Sequence, residues 1–447
     1  MTTTDIRAGR LSQEQLAENF SDHHPPLSSA NAKVESDRCY FCYDAPCIGA
    51  CPTTIDIPNF IRKISTGNLK GSAKDILTQN IMGGMCARVC PTEILCEGVC
   101  VRNTQDENPV RIGDLQRYAT DWFFESGETL FKRGEPTGKR IAIIGGGPAG
   151  LSCAHRLAVL GHKSVIFEAR EKLSGLNEYG IAAYKTVNNF AQREVEFILQ
   201  IGGIEARTNH LLGRDVKLDD LRKEFDAVFL SIGLGDVNDL GLENNDPEGV
   251  YNAVDTIAEL RQAKSLEKLL VGRRIVVIGG GNTAIDIAVQ SKKLGSEDVS
   301  LVYRRGAQHM SATWKEQEFA KSNGVNIKYW LSPKSLHSEN GHVCGVEFEC
   351  TKLNSDGKLT GTGESRFIET DIVFKAIGQS MQDTIFPGSE MPEMKKGKIA
   401  ANSEFETSLT GVWSGGDCVK SGEDLTVQAV EDGKRAANSI HKKIMQR

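Results

Sequence analysis

Apolar and polar positions change rhythm twice along this chain. Up to about residue 130, apolar side chains recur at helical spacing, as over residues 57–64 and 113–124, with almost no strand-like alternation. That region is predicted to be mainly helical. A polar joint, KRGEPTGK at 132–139, then gives way to a β-branched run, RIAII at Arg140–Ile144, which meets a glycine cluster. The same order of signals returns 134 residues later, with RIVVI at 274–278, three glycines and a helix-like stretch. Strand, glycine turn and helix in that order form a nucleotide-binding unit, and its repetition predicts two.

The first turn reads GGGPAG at 145–150. Gly145 permits the tight bend, Gly147 lets the backbone approach a pyrophosphate, and Gly150 lets helix and strand pack closely, with Pro148 and Ala149 opening the helix. The next strand ends on Glu168, eighteen residues after Gly150, where a carboxylate can accept hydrogen bonds from an adenosine ribose. The second turn, GGGNTA at 279–284, places Gly279, Gly281 and Ala284 at the same three positions around Asn282 and Thr283. Its following strand runs into Arg304 and Arg305 instead of an acid, which tilts this site towards the 2′-phosphate of NADP over NAD. Two arginines solvated on a loop are the plainer alternative.

The twelve cysteines are unevenly placed: eight fall between Cys39 and Cys100, and only Cys153, Cys344, Cys350 and Cys418 lie beyond. The first run is Cys39-x2-Cys42-x4-Cys47-x3-Cys51-Pro52, and the second Cys86-x3-Cys90-Pro91-x4-Cys96-x3-Cys100. Four thiolates also suit zinc, but zinc modules usually use separated Cys-x2-Cys pairs. The unequal gaps and Cys-Pro pairs are closer to the ligand runs of cubane iron–sulfur clusters, in which one cysteine crosses to the neighbouring cluster.

Composition narrows the partners. A hydrophobic fraction of 39%, a charged fraction of 25% and a net charge of −6 are those of a soluble globular protein without a basic footprint for nucleic acid. No apolar run reaches the eighteen or so residues of a membrane span, and the N-terminus has no signal-peptide pattern. The expectation is a cytoplasmic protein, whose thiols serve metal or redox chemistry more than disulfides.

Late in the chain, GVWSGGDC at 411–418 supplies Gly416 and Asp417 ahead of a helix-like stretch. Together with the two glycine turns and Glu168, this resembles the two-dinucleotide-binding flavoprotein family. The resemblance implies that Asp417 binds the flavin ribityl chain and that Thr426 faces the isoalloxazine end. VFLSIG at 228–233 and VFKAIG at 373–378, with Gly378, resemble the strands by which such proteins pass between FAD and nicotinamide domains. The expected fold class is therefore α/β. A mainly helical iron–sulfur domain over 1–135 precedes two Rossmann-like domains, with a nicotinamide domain at 256–375 inserted in an FAD domain split into 136–255 and 376–447.

Over nearly the whole chain, the pattern resembles glutamate synthase small subunits and the N-terminal half of dihydropyrimidine dehydrogenase. The likeness is strongest to the flavin and iron–sulfur subunit of the split bacterial form, through IGDLQRYATD at 112–121. By that resemblance, one [4Fe-4S] cluster is held by Cys39, Cys42, Cys47 and Cys100, and the other by Cys51, Cys90, Cys96 and Gln116. Residue chemistry alone prefers Cys86 to an amide oxygen, because thiolate is the softer ligand for iron. The chain departs from the family at Ser174-Gly175, where two glycines are usual, and at 184–187, where Lys185 stands in for an arginine as a flavin-site cation.

The implied activity is NAD(P)H oxidation through FAD and two [4Fe-4S] clusters, with NADPH favoured. Electrons pass to a separate FMN-type subunit with a (β/α)8 barrel, forming a hetero-oligomer that reduces uracil or thymine. Electron supply to glutamate formation is the alternative, as is a flavoprotein with a zinc-stabilised interaction module. No acid–base or nucleophile constellation is expected, since hydride and electron transfer are cofactor chemistry.

Overall fold

The structure is a computed structural model describing residues 11–242, 246–381, 385–420 and 424–446; the opening residues read above for a leader lie partly outside that range. The chain forms two compact units. One comprises Met1–His23, Tyr179–Val187 and Asp236–Ser380, and the other His24–Glu178, Asn188–Gly235 and Met381–Arg447. No helix among the described residues is long and apolar enough to cross a membrane.

In the larger unit, the thiol-bearing region is helical, as its periodicity predicts. The Ile57–Ser65 helix starts where the Asp56 side chain accepts from the Asn59 amide, and it buries Ile57, Phe60, Ile61 and Ile64 along one stripe. The Ile112–Ser126 helix buries Ile112, Leu115, Ala119 and Phe123 at the same spacing and ends at Gly127, held at φ 68°. Gln116 lies on that buried stripe. These helices share a core against which Cys39, Cys47, Cys96 and Cys100 pack.

The same unit carries a five-stranded parallel sheet, ordered Val412–Ser414, Ala227–Leu230, Arg140–Ile144, Lys163–Phe167 and Ile204–Arg207. Its central strand, Arg140–Ile144, is a buried isoleucine-rich run, and Ala227–Leu230 beside it is wholly buried, as parallel sheets covered on both faces require. The Pro148–Val159 helix leaves the first glycine turn, and the Thr426–Met445 helix packs on it. Gly433 allows the approach, since a Cβ there would lie 2.1 Å from the Ala149 carbonyl oxygen.

The other unit repeats the design, with parallel strands ordered Val250–Asn252, Ile372–Ala376, Arg274–Gly279, Asp298–Tyr303 and Val325–Tyr329. It also contains an antiparallel sheet of Leu331–Glu339, His342–Leu353 and Leu359–Glu369, which the sequence reading did not anticipate. The α/β class with a helical N-terminal domain and two Rossmann-like folds is as expected.

Candidate functional site

The structure gathers the eight N-terminal thiols into two groups. Cys39, Cys42, Cys47 and Cys100 line one cavity with largely apolar walls, including Ile57, Ile61 and Val110, and with Arg102 at its lining. Burial pushes the Cys47 thiol up to about 12, with Cys39, Cys100 and Cys42 adding to the shift. In the second group, a hydrogen bond that the Cys90 thiol donates to Cys86 raises Cys90 most, followed by burial and the proximity of Cys86, Cys96 and Cys51. Cys51 also lies 3.3 Å from the Thr53 hydroxyl.

Every cysteine is a free thiol. Thiols that raise one another stay protonated, whereas a cationic metal core favours their thiolates. Among the described residues, no three His, Cys, Asp or Glu side chains converge on one point as around a single ion. The four thiols lining the first cavity are the donor type that an iron–sulfur body takes.

Gln116 is buried beside this second group, only 9% exposed, and its Nε2 donates to the Gly83 carbonyl at 2.7 Å. A surface glutamine is therefore not what the sequence encodes. Gly83 opens the Gly83–Val89 helix, which carries Cys86 and reaches Cys90 at its end. The buried Glu194 fixes that helix's first turn, accepting from the Gly84 and Met85 amides at 3.0 Å each. Arg88 spans from Asp121, at 2.6 Å, to the face of Phe190, at 3.5 Å. Sequence reasoning missed Glu194, which contacts Gly84 from 110 residues away and gives no local signal.

At the first glycine turn, Gly145 has φ 100°, and a Cβ there would lie 2.2 Å from the Ser231 carbonyl oxygen. A Cβ at Gly150 would meet the Gly145 carbonyl at 2.0 Å, while Gly147 faces open space out to 3.9 Å. Tight sides and an open middle are what a pyrophosphate cradle needs. Glu168 accepts from the Gly146 and Arg170 amides, both at 2.8 Å, so its carboxylate is held at the turn.

Ser174, at the family's glycine position, takes φ 89° and donates its amide to the Gly146 carbonyl at 2.8 Å. Its Oγ and the Asn177 Nδ2 are buried without partners, polar groups that a bound flavin nucleotide could engage. Thr426 donates to the Asn177 Oδ1 at 2.8 Å. The Gly416 amide donates to Asp432 at 3.0 Å, and burial, with Asp424 and Asp432 nearby, pushes Asp417 up to about 6 against the opposing charge of Lys398. These placements fit FAD.

At the second turn, Gly279 has φ 151°, and a Cβ there would lie 2.1 Å from the Ala376 carbonyl. Asn282, Thr283 and Ala284 begin the Asn282–Lys293 helix. Gly378 has φ 91° and accepts from the Asn238 amide at 3.1 Å, where two short strands, Asp236–Val237 and Gln379–Ser380, pair antiparallel. Arg304 is exposed, and Arg305 follows with a buried, unbonded Nε.

Lys185 is placed differently from a free flavin-site cation. Its ammonium sits 2.8 Å from Asp286 and 2.6 Å from Glu316, buried within the unit that carries the second turn. Burial lowers its pKa, but the two carboxylates outweigh burial and raise it overall. Its charge is thus already matched inside that unit.

Two glycine turns on parallel sheets, with free thiols gathered in a helical region, define an NAD(P)-dependent flavin and iron–sulfur oxidoreductase. Residues 139–433 match the family described as pyridine nucleotide-disulphide oxidoreductase, and residues 16–128 the one described as dihydropyrimidine dehydrogenase domain II, 4Fe-4S cluster. The chain belongs to the pyridine nucleotide-disulphide oxidoreductase family.

It is similar to the glutamate synthase [NADPH] small chain of Escherichia coli K12, 34% identical over 94% of this chain and 93% of that one. It is also similar to the NAD-dependent dihydropyrimidine dehydrogenase subunit PreT of the same organism, 33% identical over 95% and 97% respectively. Among solved structures, FprA from Mycobacterium tuberculosis in complex with NADPH shares the fold at 18% identity, TM-score 0.58, over 70% of this chain and 85% of that one. Thioredoxin reductase of T. acidophilum does so at 19% identity, TM-score 0.53, over 69% and 99%. The expected resemblance holds, and FAD, NAD(P)H and iron–sulfur are the cofactors of this class.

Proposed function

We propose that this chain is the electron-input subunit of a cytoplasmic pyrimidine-reducing hetero-oligomer. It oxidises NAD(P)H and passes the electrons to a separate FMN-type subunit with a (β/α)8 barrel, which converts uracil or thymine to the 5,6-dihydro form. When bound, FAD takes a hydride and releases electrons singly, and iron–sulfur clusters carry them one at a time. The chain's residues bind and orient these groups. In this reading Gly145, Gly147, Gly150, Glu168, Gly416, Asp417 and Thr426 hold FAD, and the 279–284 turn with Arg304 and Arg305 holds the nicotinamide nucleotide, with NADPH favoured. Cys39, Cys42, Cys47 and Cys100 hold one [4Fe-4S] cluster, and Cys51, Cys90, Cys96 and Gln116 a second.

The observation that carries the pyrimidine reading is the burial of Gln116 on the core face beside the second thiol group. Relatives named as a small chain and as a subunit support an outside acceptor. Free thiols throughout support a reducing compartment. The glutamate synthase relative supports a second reading, electron supply for glutamate formation.

Purifying the chain anaerobically with its bound partners decides between them. About eight iron and eight labile sulfide per chain are expected from two cubanes, with NAD(P)H-dependent loss of uracil or thymine. Glutamine-dependent glutamate formation without pyrimidine turnover would overturn the choice, and stoichiometric zinc without iron would sink both readings.

A further inference from the structure

The Thr426–Met445 helix carries contacts to two places at once. Towards the first glycine turn, its Asp432 accepts from the Gly416 amide at 3.0 Å, and Gly433 sits where a Cβ would meet the Ala149 carbonyl oxygen at 2.1 Å. That close approach fixes the helix against the Pro148–Val159 helix. The next residue, Lys434, reaches the thiol-bearing helices instead. Its ammonium donates to the Gln79 carbonyl at 2.9 Å and to the Gln79 Oε1 at 3.2 Å, and it lies 3.5 Å from the Thr53 carbonyl.

Both of these contacts end beside the second thiol group. Thr53 is fully buried, and its hydroxyl sits 3.3 Å from the Cys51 Sγ. A metal-bound sulfur has no proton to give, so in the loaded chain the hydroxyl is the donor. Gln79 precedes Asn80, also fully buried, which accepts from the Met82 amide at 3.1 Å through Oδ1 and from the Gly83 amide at 2.9 Å through its carbonyl. Gly83 in turn holds the Gln116 amide. The counter-charge of Lys434 is on its own helix: Glu431 lies 2.7 Å away, and the two side chains are only 16% and 15% exposed. The positive member of the pair is thus the one that meets Thr53 and Gln79, with little solvent to screen it.

We propose that Lys434 and Thr53 set the reduction potential of the iron–sulfur cluster held by Cys51, Cys90, Cys96 and Gln116, raising it above what those ligands alone would give. The proposal rests on the reading of that group as a cluster site. One electron, drawn from reduced flavin, adds one negative charge to the cluster and its thiolates. A nearby cation and a hydrogen bond to a ligand sulfur both stabilise that added charge. Thr53 acts on the Cys51 sulfur directly. Lys434 is a positioning residue: it brings its charge to the group and holds the Thr53 and Gln79 carbonyls, while Gly433 ties its helix to the flavin side.

The test is a reductive titration of the anaerobically purified full chain, followed by electron paramagnetic resonance, with iron and labile sulfide measured on every sample. The cluster concerned is the one whose signal Cys90→Ala removes. Lys434→Met is expected to lower its midpoint by about 59 mV, a tenfold shift of a one-electron equilibrium, and Lys434→Arg to leave it near the wild-type value. Thr53→Val should lower it less, and Thr53→Ser should restore it. Glu431→Gln removes the opposing charge and should raise the midpoint, an opposite sign that a purely structural contact does not produce. An unchanged midpoint in an iron-replete Lys434→Met overturns the proposal, as does a fall or no change in Glu431→Gln. Where Lys434→Met does not keep its iron, the Glu431→Gln shift decides alone. A wild type with the iron of a single cubane would instead overturn the reading of the second group itself.

Discussion

Glu194 accepts a 3.0 Å hydrogen bond from the Met85 amide with the same carboxyl oxygen that accepts from Gly84. Burial pushes this carboxyl up to about 8 from an ordinary 4.5, although the two amides and Arg88 pull it down. The folded cofactor-free chain thus holds a proton that the unfolded chain releases. The raised acid pKa gives a stability contribution that is full below 4.5 and is lost as pH rises through about 8. Urea denaturation across that range should show stability falling with pH, and Glu194→Gln should flatten the trend. A slope of equal size in the variant would locate the titration elsewhere.

Lys185 lies between Asp286 and Glu316 with a side chain only 10% exposed. Lys185→Met leaves both carboxylates without their shared cation, and removing one partner of a buried pair costs about 3–5 kcal/mol. Asp286→Asn added to Lys185→Met should recover part of that loss, because one uncompensated charge goes with it. Denaturation midpoints of the single and double variants measure the coupling. Losses that simply add would show that the pair does not act as a unit.

These two contacts also mark where sequence reasoning stops. The strands at Arg140–Ile144 and Arg274–Gly279 were legible because a β-branched run ending on spaced glycines is a local signal, and a Cβ at Gly145 or Gly279 meets a carbonyl at close range. The ligand set of Lys185 was not legible. Its carboxylates come from the Asn282–Lys293 and Trp314–Ser322 helices, far along the chain, so no periodicity points to them. The antiparallel sheet escaped for another reason: Leu359–Glu369 is almost wholly exposed and carries polar residues on both faces, so it lacks the alternation by which a half-buried strand is read.

Asp417 offers a readout through flavin. Its carboxyl, pushed up to about 6 chiefly by burial, is the stronger acceptor for a ribityl hydroxyl when ionised. Reconstitution of the cofactor-free chain with FAD should therefore weaken as pH falls through about 6, and Asp417→Asn should bind FAD weakly with little pH dependence over that interval. Fluorescence quenching of added FAD measures both. Wild-type affinity unchanged across the interval would remove Asp417 from the flavin contact.

The competition between Gln116 and Cys86 is decided by removing each in turn. Cys86 hydrogen-bonds Cys90, and thiolate is the softer iron ligand, so its presence in the second group gives it a chemical claim. Gln116, however, comes from a different helix on the buried stripe, and its amide is anchored at Gly83, where the helix bearing Cys86 begins. An amide held there can present its oxygen to a metal body while its nitrogen stays bound to the carbonyl. A ligand role for Gln116 requires that division of labour. Gln116→Leu is thus expected to lower iron and labile sulfide by about half, the share of one of two cubanes, with FAD content unchanged. Cys86→Ser should leave both metal contents intact and alter at most the stability of the empty chain. The opposite pair of results, full iron in Gln116→Leu and half in Cys86→Ser, would hand the fourth position to the thiol.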